Sequence, residues 1–161
     1  MKKLFIIIFT VLINNYLLAA GGESSSSSSM SDPYKDATSL VKRAGKLEKK
    51  EKIEKAKKLY TQAFKKLEKA YSTDKNNPDI LNYMGYTSRK IGKFEQAEKY
   101  YLAGLKIKPD HNGINEYLGE LYVQTNRIDK ANERLQVLKS CNCDEFKELE
   151  LIIKNRGTKV Y

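Results

Sequence analysis

The chain has 161 residues, of which 31% are charged and 40% apolar. That is enough for one compact domain and too few for two, and it excludes a disordered polypeptide. With only two cysteines the chain is no disulfide scaffold, and the net charge of +10 points to anionic partners.

Residues 1–20 have the pattern of a secretory signal peptide. Lys2 and Lys3 make a short positive start, and an apolar run from Leu4 to Leu18 follows. The small residues Ala19, Ala20, Gly21 and Gly22 then offer a cleavage zone. Cleavage is expected after Ala20 or Gly21, and export to a bacterial periplasm follows from it. The rival is an uncleaved membrane anchor, but the run is shorter than the roughly 20 residues a spanning helix needs. Residues 21–31, with six consecutive serines, have the composition of a flexible linker. A folded domain is expected over residues 32–155, and residues 156–161 read as a frayed tail.

Inside the domain the chain repeats. Gly85 and Gly119 lie 34 apart, as do Ala97 and Ala131, and the step from glycine to alanine is 12 in each unit. Ala44 and Ala56 share that step. A period of 34 is that of helix-turn-helix units stacked in a solenoid, with repeats at about 37–77, 78–111 and 112–143. Small residues at these positions let paired helices approach closely. Asp32-Pro33 and Asn77-Pro78 each place an acceptor before a first-turn proline, and Lys108-Pro109-Asp110 separates the second unit from the third. Gly92 and Asn126 suit left-handed helix ends. Tyr101 provides a large group able to reach the next unit.

The first unit carries seven extra residues, because Ala56 and Ala97 are 41 apart. Seven residues are about two helical turns, which keeps the apolar phase. One long second helix is expected over roughly 52–73, projecting past its neighbour. Phe146, Leu149, Leu151, Ile152 and Ile153 give a terminal capping helix over 144–155, with Asp144 as its N-cap.

These positions resemble the tetratricopeptide repeat. The pattern is Leu81-x2-Met84-Gly85-x2-Ser88, Ala97-x3-Tyr101 and Pro109, then Asn115-x2-Leu118-Gly119-x2-Tyr122 with Ala131-x3-Leu135. The first unit matches through Leu40, Arg43, Ala44, Leu47, Ala56 and Tyr60. Departures are Leu40, Leu81 or Asn115 at the aromatic slot and Cys143 at the third proline slot. The resemblance implies an all-α, right-handed solenoid of three repeats and a capping helix, with the first helices lining a concave groove. It places Val41, Gly45, Glu48, Lys49, Asn82, Tyr86, Arg89, Lys90, Glu116, Glu120, Val123 and Gln124 on that groove. Tyr86, Arg89 and Lys90 lie on one helical face and are expected at the centre of binding, because Tyr and Arg are enriched at hot spots. Val41, Gly45, Tyr83, Gly113 and Tyr117 stand where some relatives hold a carboxylate clamp, and none of them is basic or an amide.

No catalytic or cofactor-binding constellation accompanies the repeat. His111 is the one histidine, no glycine-rich phosphate loop follows a strand, and no metal-ligand spacing occurs. Cys141 and Cys143 are candidates for a disulfide or for structural thiols. The basic excess is local. Residues 42–69 hold 12 basic against 4 acidic side chains, a balance of +8, while residues 70–161 hold 15 against 13. Interleaved glutamates make this a solvated helical face rather than a nucleic-acid surface, with weak contact to an anionic membrane as its functional alternative. The expected function is a non-enzymatic scaffold of the cell envelope that holds a protein or peptide segment. The alternatives are an accessory subunit of an envelope complex and a surface-binding protein using the basic first repeat.

Overall fold

A computed structural model describes residues 32–155, so the expected leader, linker and tail lie outside the described residues. Seven helices and no strands occur among them: α1 (Pro33–Glu48), α2 (Ile53–Thr73), α3 (Pro78–Lys90), α4 (Phe94–Ile107), α5 (Asn112–Gln124), α6 (Ile128–Leu138) and α7 (Asp144–Lys154). Asp32 and Asn77 cap α1 and α3 as their Asp-Pro and Asn-Pro dipeptides dictate: Tyr34 N donates to one, Asp79 N and Ile80 N to the other.

The chain stacks helix pairs into a solenoid. α1 pairs with α2, α3 with α4 and α5 with α6. The first helices also touch in succession, α1 to α3, α3 to α5 and α5 to α7. The second helices keep their backbones further apart and meet through long side chains, Phe64 of α2 with Tyr100 of α4 and Glu98 of α4 with Arg127 at the start of α6. First helices in close mutual contact and second helices more widely spaced give the stack an inner and an outer side.

Close approach within a pair comes from the glycine register. A Cβ on Gly85 would fall 2.5 Å from Tyr101 Cδ1, inside van der Waals contact. The fully buried Tyr101 therefore packs back against its own unit and also reaches the next one, where it joins Ile114, Leu118 and Leu121 in one buried cluster. Gly119 makes the same approach to Leu149 of α7, with Cδ2 2.5 Å from where a Cβ would sit. Leu135 holds the register of Tyr101, but a leucine is shorter, and the capping helix supplies the filling group.

Three turns between paired helices share one backbone device. Gly92 and Asn126 have φ of 84° and 58°, and Glu51 has 56°. Each stands five residues before the buried alanine of its second helix, Ala97, Ala131 or Ala56. The surplus length of α2 does not project. α1 is lengthened too, its Asp36 accepts from Lys66 at 2.8 Å, and Ala37 joins Ala63, Leu67 and Ala70 in one buried cluster with Ile80 and Met84.

Two helix starts depart from expectation. α7 has Cys143 at its N-cap with no side-chain capping bond, and Asp144 is the first helical residue. α5 is capped by His111, whose Nδ1 accepts from Ile114 N at 3.2 Å. Its Nε2 lies 3.0 Å from Asp79 Oδ1, so a neutral ring protonated on Nε2 satisfies both. Cys141 and Cys143 are joined by a disulfide across Asn142, which has φ of 48°.

Candidate functional site

The inner side forms a groove of about 740 Å³ lined only by first helices and their ends. α1 gives Gly45, Glu48 and Lys49, α3 gives Tyr86, Arg89 and Lys90, and α5 gives Glu116, Tyr117 and Glu120. α7 closes it with Glu148, Leu151, Ile152 and Asn155. The last turn of α3 carries the two cations, where the negative end of the helix dipole favours them.

Both cations are already engaged. Arg89 Nη2 meets Glu120 Oε2 at 2.6 Å and Nη1 donates to Gln124 Oε1 at 3.3 Å. The guanidinium stands over Tyr86 and Tyr117, 5.5 and 5.8 Å from the ring centroids. Burial opposes its charge, yet the Glu120 carboxylate, with Tyr101 and Tyr86, outweighs that and holds its pKa above the ordinary value. Lys90 Nζ sits 2.8 Å from Glu48 Oε2, which also accepts from Tyr60 Oη at 2.9 Å. Burial pulls the Lys90 ammonium below the ordinary lysine value, against the pull of Glu48. The Arg89 and Lys90 side chains are 2% and 5% exposed. Taking either from its partner would strand a carboxylate in a poorly solvated site, a loss of about 3–5 kcal/mol.

The part open to a ligand is the floor between these pairs. Tyr86 and Tyr117 face each other at 4.9 Å between centroids. Leu151, 57% exposed, and Ile152 form the facing wall. Beneath that wall Glu116 is buried, and its carboxyl is pushed up to about 9 by burial first, then by Glu120 and by a hydrogen bond with Glu148. At neutral pH Glu116 is therefore a protonated donor and adds no charge.

The structure brings together eight of the twelve residues expected at the groove: Gly45, Glu48, Lys49, Tyr86, Arg89, Lys90, Glu116 and Glu120. Val123 lies in the core instead. Asn82 does not line it. It is 7% exposed on α3 and lies against Gly113. Gln124 does not line it either and serves Arg89. Val41 belongs to a second, smaller depression of about 520 Å³ with Lys35, Thr38, Ser39, Lys42 and Tyr83. Tyr117, expected only as the occupant of a clamp position, lines the groove, and the α7 wall is outside the expected set. The signal for the wall lay in Leu151-Ile152-Ile153, since three consecutive apolar residues span about 200° of a helix and serve both core and groove. Among the described residues no group of three His, Cys, Asp or Glu side chains is placed to hold a metal ion.

A family model described as Tetratricopeptide repeat matches residues 78–111. The chain is similar to human Protein O-mannosyl-transferase TMTC3, with 32% identity over 71 residues, 44% of this chain and 8% of that protein. It is similar to the TPR repeat-containing protein MJ1428 of Methanocaldococcus jannaschii, with 36% identity over 92 residues, 53% of this chain and 16% of that protein. The chain thus spans less than a fifth of these curated relatives, and the transferase activity in the first name is that of the whole protein. Among solved structures it is similar to the Yersinia enterocolitica type III secretion translocator chaperone SycD, with 18% identity and a TM-score of 0.49, covering 76% of this chain and 89% of that one. The Arabidopsis OM64 TPR domain shows 15% identity and a TM-score of 0.48, covering 76% and 98%.

Proposed function

The chain is a tetratricopeptide-repeat protein, and from that premise we propose that it is a scaffold holding a peptide or protein segment in the groove of α1, α3, α5 and α7. The observation that carries this reading is the state of the floor. Arg89 and Lys90 are spent on Glu120 and Glu48, so the surface left at the floor is Tyr86, Tyr117, Leu151 and Ile152, with the exposed Lys49 at the end of α1 beside it. Such a floor takes an apolar or aromatic anchor, not a terminal carboxylate. The leader-like residues 1–20 support a setting in a bacterial cell envelope.

The test is selection of displayed peptides on the immobilised chain. Recovered peptides should share an apolar anchor and lose at least about tenfold in affinity, about 1.4 kcal/mol, for Leu151→Lys. That side chain is exposed, so the variant keeps the fold while charging the wall. Peptides that share an acidic terminus, or that bind Leu151→Lys unchanged, would overturn the reading.

A further inference from the structure

The outer side of α2 is a second surface with its own chemistry. Ala56, Tyr60, Ala63, Leu67 and Ala70 bury one face of the helix against α1 and α3. At 100° per residue the opposite face carries Lys55, Lys58, Gln62, Lys65 and Lys69, whose steps of three and four keep them in one row. All five are exposed, and the row runs about 21 Å at 1.5 Å per residue. No other described helix covers it: all five side chains are exposed, and α2 meets α4 on another flank, through Phe64 and Tyr100.

The row lysines make no ion pair among the described residues, whereas the two other lysines of α2 are paired; the exposed Glu54 and Glu68 flank the row and offset part of its charge. Lys57 meets Glu54 and Lys66 meets Asp36. None of Lys55, Lys58, Lys65 and Lys69 has an ion pair among the described residues. At the start of the helix the exposed Lys50 and Lys52 extend the field, and Ile53 is 46% exposed beside them. Four lysines against two flanking glutamates leave a net positive row that a counter-charged body would meet favourably.

We infer that this row docks the protein on an anionic lipid bilayer. The chemistry favours a smooth anionic surface over a shaped partner. Lysines are mobile point charges without the bidentate fork that reads single phosphates or carboxylates. The row holds no aromatic side chain on which a base would stack. A straight row on the outer side of a solenoid meets a plane, and basic residues near such a plane add their attractions. The groove lies on the first helices, so a docked protein keeps it open.

The experiment is co-sedimentation of the full chain with phosphatidylglycerol-containing vesicles and with phosphatidylcholine vesicles as baseline. The full chain keeps its apolar residues 4–18, whose insertion would contribute to both vesicle types and resist salt. The row is read as the excess on anionic vesicles at about 0.1 M salt. Lys55→Gln, Lys58→Gln, Lys65→Gln and Lys69→Gln together should lower that excess at least about tenfold, with an unchanged circular dichroism spectrum. Lys75→Gln, Lys99→Gln, Lys106→Gln and Lys139→Gln remove the same charge from other exposed sites and should leave it within about twofold. Equal loss in the two variants would overturn the inference and leave net charge as the cause. So would the absence of any excess, or retention on a polyglutamate or nucleic-acid matrix through the row without binding to vesicles.

Discussion

Gly119 and Leu149 join the capping helix to the last repeat, and their coupling is calculable. Leu149→Ala removes a fully buried side chain and should cost about 2–5 kcal/mol. Gly119→Ala places a methyl 2.5 Å from Leu149 Cδ2 and 2.7 Å from Cδ1. Overpacking of that kind costs about 1–3 kcal/mol, partly offset by about 1 kcal/mol of helix propensity. In the double variant the new methyl enters the space Leu149 vacated. The clash vanishes, part of the cavity is filled, and the propensity gain remains. The double variant should therefore be no less stable than Leu149→Ala alone, a favourable coupling of at least about 1 kcal/mol. Urea titrations followed by circular dichroism give the midpoints, and a constant slope checks that all four proteins unfold in the same way. Additivity within about 0.5 kcal/mol would refute the packing of α7 against α5.

Other consequences are equally direct. Arg89→Ala should cost about 3–5 kcal/mol by leaving Glu120 uncompensated, and adding Glu120→Leu should recover much of it; a melting curve unmoved by the single change would contradict the buried pair. Glu116 binds its proton more tightly folded than unfolded, with a carboxyl raised from 4.5 to about 9. Its contribution to stability is complete below the unfolded value and is lost as pH rises toward 9. Glu116→Gln should thus gain on the parent progressively between about pH 5 and pH 9, and a pH-independent difference would show that the carboxyl is not perturbed. His111→Ala removes the cap of α5 and should lower stability by about 0.5–2 kcal/mol in thermal unfolding, whereas an uncapped helix would show no change.

The architecture was legible because the repeat is a local signal. Residues 34 apart and a step of 12 are counted directly on the chain, and Gly85, Gly92, Ala97 and Asn126 announce their roles by size or by tolerance of positive φ. Glu51 adopts the same turn conformation but gives no such notice, since glutamate is not a left-handed residue by preference. His111 was missed as a cap because imidazole nitrogen lies outside the usual Ser, Thr, Asp and Asn set. The register of first-helix residues identified most of the groove. It did not show that Arg89 finds Glu120 from the next unit, or Lys90 Glu48 from the previous one. Those pairings join side chains dozens of residues apart and depend on how neighbouring units stack. They change the chemistry of the groove floor from cationic to apolar and aromatic, which no periodicity reveals.

The central claim is that the inner floor, and not the outer helices, holds the partner segment. A nuclear magnetic resonance titration of the isotopically labelled chain with a peptide recovered by selection tests it most directly. The account predicts shift changes concentrated at Gly45, Tyr86, Tyr117, Leu151 and Ile152, with the outward residues of α2, α4 and α6 unmoved. Changes centred on those outer helices, with the floor silent, would contradict it.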